Sequence, residues 1–162
     1  MKGFGEPQSI KQKHSARTTK TKGDALLNSA VDHHKRGDLT NAEKDYRKAI
    51  KTGYVHYAIY SNLGVICKNS GRTEEAISLY LKAIEVKPNH SDTHCNLGNL
   101  YTDLGNLDNA LSSTLKSLEL KPDNPTAHMN LGSIYKNLGN LDQALASTLQ
   151  SLELKPDNPT AL

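Results

Sequence analysis

The strongest constraint on the fold is an internal repeat of 34 residues. Residues 91–124 and 125–158 align without a gap and are identical at 23 of 34 positions. The same frame extends back to residues 57–90 and, more weakly, to residues 23–56. A repeat of this length is typical of solenoids, in which each unit buries its apolar face against its neighbours. The chain is therefore predicted to be an array of four units, numbered one to four, with positions 1–34 in each.

Each unit has the pattern of two amphipathic helices joined by a glycine. Positions 7, 8 and 11, for example Leu97, Gly98 and Tyr101, share one face of a helix. A second helix is predicted from the turn to the proline at position 32. Small residues at positions 8 and 20 are expected to let the two helices approach closely. Position 15 is glycine in every unit, which indicates a turn with positive φ: Gly37, Gly71, Gly105 and Gly139.

This pattern resembles the tetratricopeptide repeat (TPR) family. Unit two carries the family's characteristic residues: Tyr60, Leu63, Gly64, Ala76, Tyr80, Ala83 and Pro88. The resemblance implies an all-α, right-handed α-solenoid of helix-turn-helix repeats. Units three and four depart at positions 24 and 27, where the family prefers an aromatic residue and alanine: Thr114, Ser117, Thr148 and Ser151. Their hydroxyls are expected to bond back to the preceding turn and loosen the second helix.

The two ends of the array differ in polarity. Unit one (23–56) carries Asp32, Glu43 and Arg47 where the later units have Ile or Leu, so it is predicted to be a capping repeat with a polar outer face. Unit four keeps the apolar pattern, and residues 159–162 are predicted to start a truncated fifth repeat. We expect either that the chain is part of a longer protein or that this open end meets a partner, including a second copy of the chain.

Residues 1–22 are predicted to be a disordered basic tail. They carry six Lys or Arg residues against one Glu, and Phe4 and Ile10 are their only large apolar residues. Glycines and Pro7 near the start of the tail interrupt helix formation. A solvated arm is the main interpretation, and the charge leaves contact with nucleic acid or an anionic surface as an alternative.

Composition favours a cytoplasmic protein without metal or disulfide sites. No apolar run approaches the ~20 residues needed to cross a bilayer, so an integral membrane protein is excluded, and a secretory signal is also missing. Cys67 and Cys95 are too far apart in sequence for a CxxC pair, so reduced thiols are expected.

Catalytic and metal-binding motifs are likewise missing from the sequence. His94 and His128 occupy position 4, where a large residue packs, and are interpreted as structural. The chain is therefore predicted to have no enzymatic activity of its own and no cofactor.

Asparagine occupies position 6 in all four units: Asn28, Asn62, Asn96 and Asn130. On a helix with about 3.6 residues per turn, positions 2, 6, 9 and 13 lie opposite the face that packs within the unit. In the TPR superhelix this face lines the concave groove, so the resemblance implies a ladder of amides, similar to that of O-linked N-acetylglucosamine transferase TPR arms. A carboxamide both donates and accepts, as a peptide unit does. The candidate groove also includes Asn99, Lys35, Lys68 and Lys136.

The sequence therefore predicts a protein–protein interaction scaffold that binds an extended peptide segment in this groove. The carboxylate clamp of co-chaperone TPR domains is not predicted, because positions 2 and 5 carry no Lys or Arg. The alternative is the N-terminal substrate-recruiting arm of a larger enzyme, such as a glycosyltransferase, with catalysis in a downstream domain.

Overall fold

The computed structural model describes the backbone of residues 8–154 and the side chains of residues 16–154, and within that range it has helices and no strand. This confirms the all-α class. No helix in this range combines the length and the apolar character that crossing a membrane requires. The helices are α1 Gln8–Lys35, α2 Leu39–Lys51, α3 Tyr57–Asn69, α4 Thr73–Val86, α5 Ser91–Asp103, α6 Leu107–Leu120, α7 Pro125–Asn137 and α8 Leu141–Leu154.

The turn inside each unit depends on the glycine at position 15. All four of these glycines have φ between 70° and 80°, which confirms the sequence prediction. A side chain would be strained in this left-handed region. In units one and three the next residue caps the second helix, since Asp38 and Asn106 each accept a hydrogen bond from the backbone N–H three residues on.

The two helices of a unit cross closely at the glycine of position 8. A Cβ atom added to Gly64 would lie 2.7 Å from the ring of Tyr80, and one added to Gly132 would lie 2.6 Å from Thr148 Oγ1. Both distances are shorter than any normal carbon contact, so a side chain at either position would force the neighbouring side chain to shift. The predicted close approach of the two helices is confirmed.

The threonines at position 24 differ from each other in their hydrogen bonds. Thr148 Oγ1 donates to the Ala144 carbonyl at 2.8 Å, which is the predicted bond to the preceding turn. Thr114 Oγ1 is buried without a hydrogen-bond partner, so the same prediction was wrong for Thr114.

The serines at position 27 bond to the start of their own unit instead of to the preceding turn. Ser117 Oγ lies 3.0 Å from Ser91 Oγ, and Ser151 Oγ donates to the Pro125 carbonyl at 2.8 Å. The prediction of back-bonding was therefore wrong here, because position 27 on the second helix faces position 1 at the start of the first helix. These bonds tie the second helix to the first.

Helix α1 begins well before unit one, so the prediction of a disordered tail was wrong for residues 8–22. The glycines and proline that favoured disorder all precede Gln8, and residues 8–22 contain neither type. Extending an existing helix avoids the cost of starting a new one. Residues 1–7, and the predicted start of a fifth repeat at 159–162, lie outside the described residues.

Two of the three charges that mark unit one face unit two. Asp32 is exposed, as expected of a cap. Glu43, however, accepts two hydrogen bonds from Arg72 at 2.6 and 2.7 Å, and Arg47 lies 2.7 Å from Glu75. The prediction that Glu43 and Arg47 form an outer polar face was therefore wrong, because position 21 of one unit meets position 16 of the next. Hydrogen bonds from Arg72, and then from Arg47, lower the pKa of Glu43 to about 2.

Replacing Thr114 with valine is expected to raise the free energy of unfolding by about 1 kcal/mol. The substitution keeps the shape of the side chain and removes a buried hydroxyl that has no partner. Urea denaturation measures the change. Thr148→Val is the matched control, because its hydroxyl is hydrogen-bonded, and it should give no gain. An equal gain in both variants would contradict this explanation.

Replacing Glu43 with glutamine is expected to lower the free energy of unfolding at pH 7 by about 1 kcal/mol, because the pairs are partly exposed. The folded-state pKa of about 2 lies below the ordinary 4.5. The carboxylate therefore stabilises the fold fully above pH 4.5, and this contribution is lost as the pH falls towards 2. Glu43→Gln should weaken the pH dependence in that window, as measured by urea denaturation. Glu119→Gln, at an exposed pair within α6, should not.

Candidate functional site

The first helices of the units lie on the inner side of the array. Helix α5 contacts both α3 and α7, whereas the second helices α4 and α6 make no comparable contact with each other within residues 8–154. A cavity of about 710 Å³ lies instead between α4 and α6, lined by residues that include Leu81 and Leu115. The array therefore curves around its first helices. We call positions 2, 6, 9 and 13 of these helices the inner face.

The four asparagines at position 6 divide into two pairs. Asn28 is exposed and Asn96 is half-buried, and neither amide is hydrogen-bonded to another described residue. Asn62 Nδ2 donates to the Tyr46 hydroxyl at 2.9 Å. Asn130 is only 8% exposed, and its Nδ2 donates to the Cys95 carbonyl at 3.3 Å.

Asn62 and Asn130 therefore bridge to the preceding unit. The expectation that position 6 points away from packed surfaces was wrong for both residues, because it considered packing within one unit only. Each side chain still has its Oδ1 atom unbonded among the described residues. The predicted ladder thus consists of two unengaged carboxamides and two that serve partly as contacts between units.

Lys68 and Asn99 are bonded to each other. Lys68 Nζ donates to Asn99 Oδ1 and forms an ion pair with Asp103 Oδ2 at 2.9 Å, which joins α3 to α5. Both side chains are therefore engaged within the array, and their part in peptide binding stays a prediction. Lys35 and Lys136 are exposed and form no ion pair with another described residue.

A pocket of about 190 Å³ lies where α5 meets the start of α7. We call it the junction pocket; it is lined by Asp92, Cys95, Asn96, Asn124 and Thr126. Asn124 is 6% exposed and its Oδ1 accepts a hydrogen bond from the Ala127 N–H at 3.2 Å, which caps α7. Sequence reasoning missed Asn124 and Thr126, because they lie about 30 residues from Asn96 and only the stacking of units joins them. The register of the repeat could have indicated this arrangement, because position 34 of one unit directly precedes the first helix of the following unit.

Three histidines, His90, His94 and His128, have structural roles. His94 and His128 place Nε2 2.8 Å from the carbonyl oxygens of Pro88 and Pro122, at the end of the preceding unit. His90 caps α5 by accepting a hydrogen bond from the Thr93 N–H at 3.3 Å. No group of three metal-ligating side chains occurs among the described residues.

Cys67 and Cys95 are buried free thiols. Burial is the main cause that raises the pKa of each to about 11. Both thiols therefore stay protonated at neutral pH, where they are poor nucleophiles and poor metal ligands.

The second helix of unit four has an exposed apolar surface. Its side chains that are 47% to 67% exposed are Leu141, Leu145, Leu149 and Leu152. No unit follows α8 within the described residues. The self-association expected at this end stays a prediction.

Family models match most of the array. A model described as a TPR repeat matches residues 64–105 and 98–139, and one described as a tetratricopeptide repeat matches residues 125–158. No curated protein matches the sequence significantly.

Several solved structures share the fold. A crystal structure of MamA is 22% identical, with a TM-score of 0.75 over 82% of this chain and 78% of that one. YrrB, described as a TPR protein with an unusual peptide-binding site, is 21% identical, with a TM-score of 0.72 over 84% and 70%. A tetratricopeptide repeat protein from Parabacteroides merdae ATCC 43184 is 26% identical, with a TM-score of 0.71 over 86% and 56%. These similarities confirm that the helix pairs form a solenoid.

Alanine substitutions should separate the two pairs of asparagines. Asn130→Ala removes a buried hydrogen bond between units and is expected to lower the free energy of unfolding by about 1 kcal/mol. Asn96→Ala removes an unengaged amide from a helix, so a change within about 0.5 kcal/mol is expected. Urea denaturation followed by circular dichroism measures both. Equal losses would show that the two side chains have the same structural role.

Proposed function

Because the chain belongs to the tetratricopeptide repeat family, whose arrays are protein–protein interaction scaffolds, we propose that its inner face binds an extended peptide segment of a partner protein. The observation that carries the proposal is the pair of unengaged carboxamides, Asn28 and Asn96, at the same position of units one and three. Polar side chains without partners on a concave surface are available to a ligand.

A carboxamide suits the main chain of a peptide. Its Nδ2 donates to a peptide carbonyl and its Oδ1 accepts from a peptide N–H. Asn62 and Asn130 use Nδ2 within the fold, so each contributes mainly its Oδ1 acceptor. Neighbouring helices pack about 8–10 Å apart and an extended peptide rises about 3.3 Å per residue, so the four side chains offer contacts at intervals of about three peptide units. These contacts do not depend on the peptide's side chains.

The likeness to YrrB supports the same class of ligand, since that protein of similar fold has a peptide-binding site. The alternative, in which the array recruits substrates for a larger enzyme, uses the same inner face in the same way. Peptide binding is therefore the property to test first.

The test is the double variant Asn28→Ala/Asn96→Ala, measured against a panel of unrelated, uncharged twelve-residue peptides with blocked ends. Loss of two or more hydrogen bonds, each contributing about 0.5–1.5 kcal/mol, is expected to weaken binding about tenfold. The loss should be similar across the panel, because the amides contact backbone. Fluorescence anisotropy of labelled peptides measures it.

Asn109→Ala is the matched control, because Asn109 is an exposed asparagine on the second helix of unit three. It should leave binding unchanged, and circular dichroism should show native helicity for every variant. Unchanged affinity in the double variant would contradict the proposal. A loss confined to one peptide sequence would contradict backbone recognition.

A further inference from the structure

We propose that the junction pocket selects a cationic side chain, lysine or arginine, at one residue of the bound peptide. This inference rests on the proposed function and adds side-chain selectivity to it. The pocket opens beside Asn96, so a peptide held by that amide would place a side chain next to the pocket.

The pocket contains a carboxylate that the fold does not neutralise. Asp92 is exposed and forms no ion pair with another described residue. The corresponding Asp24 in unit one accepts a hydrogen bond from the Tyr54 hydroxyl, so it already has a partner. Units two and four have Ala58 and Thr126 at this position. Within the described array, unit three alone presents an unengaged carboxylate at position 2.

The remaining lining of the pocket is polar and incompletely bonded. Asn124 is buried except for 6% of its surface, and its Nδ2 has no partner among the described residues, because only Oδ1 is used to cap α7. Asn96 contributes a whole carboxamide and Thr126 a hydroxyl. An apolar side chain in the pocket would leave these groups without partners, which disfavours it.

The pocket offers both donors and acceptors: the free Nδ2 atoms of Asn96 and Asn124 donate, and Asp92 is the one charged group among the lining residues. The carboxylate of Asp92, the Oδ1 of Asn96 and the hydroxyl oxygen of Thr126 can all accept. A lysine ammonium has three donors and an arginine guanidinium has five, and neither has an acceptor. An acidic side chain would instead meet Asp92 at short range and be repelled.

The charges near Asp92 are of both signs, since Lys87 and Lys68 act on the residues beside it. Lys68, the basic side chain that joins α3 to α5, is paired with Asp103, and its positive charge also acts on Cys95, where it partly offsets the effect of Asp92. Burial, and then the negative charge of Asp92, raises the pKa of the Cys95 thiol to about 11, so the field of the carboxylate reaches this buried lining residue. A volume of about 190 Å³ accommodates the end of a single side chain. One residue of the peptide is therefore selected, and its neighbours are held through their backbone.

The experiment starts from the tightest uncharged peptide of the panel described above. Each position in turn is replaced by lysine, arginine, norleucine or glutamate. At one position the unmodified protein should bind the lysine or arginine peptide about fivefold more tightly than the norleucine peptide, and the glutamate peptide most weakly. Comparing lysine with arginine at that position shows which cation the pocket prefers. The preference should shrink at 0.5 M salt, because an exposed ion pair is screened.

Asp92→Asn should abolish this preference and leave binding of the norleucine peptide unchanged. Asp92→Lys should reverse it in favour of glutamate, whereas Asp92→Glu should retain it. Asp108→Asn is the matched control, because Asp108 is an exposed aspartate in the first turn of α6. It should behave like the unmodified protein.

The outcomes separate the inference from the proposed function. If the unmodified protein binds no peptide of the panel, the proposed function is wrong and the inference is wrong with it. If peptides bind but no position prefers a cation over norleucine, the inference alone is overturned. A cation preference that persists in Asp92→Asn would also overturn it.

Discussion

The close crossing of the two helices in each unit is the contact on which the rest of the structure depends. At Gly64 and Gly132 an added Cβ would lie less than 3 Å from a side chain of the second helix, so that side chain would have to move. This crossing fixes which sides of the first helix are covered by its partner. It leaves the opposite side to neighbouring first helices and to ligands, so the inner face is a consequence of packing inside each unit.

The junctions between units are built from different polar contacts, although the units share one sequence pattern. Units one and two are joined by ion pairs around Glu43 and Arg72. Units two and three are joined by a hydrogen bond of 3.0 Å between Thr93 and Ser61 and by Lys68, and units three and four by Asn130. These contacts use some inner-face side chains and leave others unengaged. The surface available to a ligand therefore consists of the inner-face side chains that form no contact between units.

The features that could be predicted from the sequence are those determined within a single unit. Residue spacings within one unit predict the helix positions, the glycine turn and the close crossing. These spacings can be read directly from the periodic sequence pattern. Several wrong predictions concern relations between units: Glu43 and Arg47 meet unit two, and Asn62 and Asn130 bond to the preceding unit. Others lie within a unit, since Ser117 and Ser151 bond across it to its first helix. Thr114 and Thr148 occupy the same position but differ in hydrogen bonding, so pattern alone could not distinguish them. The junction pocket was missed for the same reason, since Asn124 and Asn96 belong to different units.

The large buried side chains are distributed unevenly along the array. The fully buried Tyr46 and Tyr80 lie at position 24 of units one and two, whereas Thr114 and the half-buried Thr148 occupy it in units three and four. In a linear array, each unit adds its own stability and that of its contacts with its neighbours. Folding is therefore expected to begin in the N-terminal half and to spread towards α8. A partly folded state would keep units one and two intact while unit four is open, so the two halves of the inner face would form at different times.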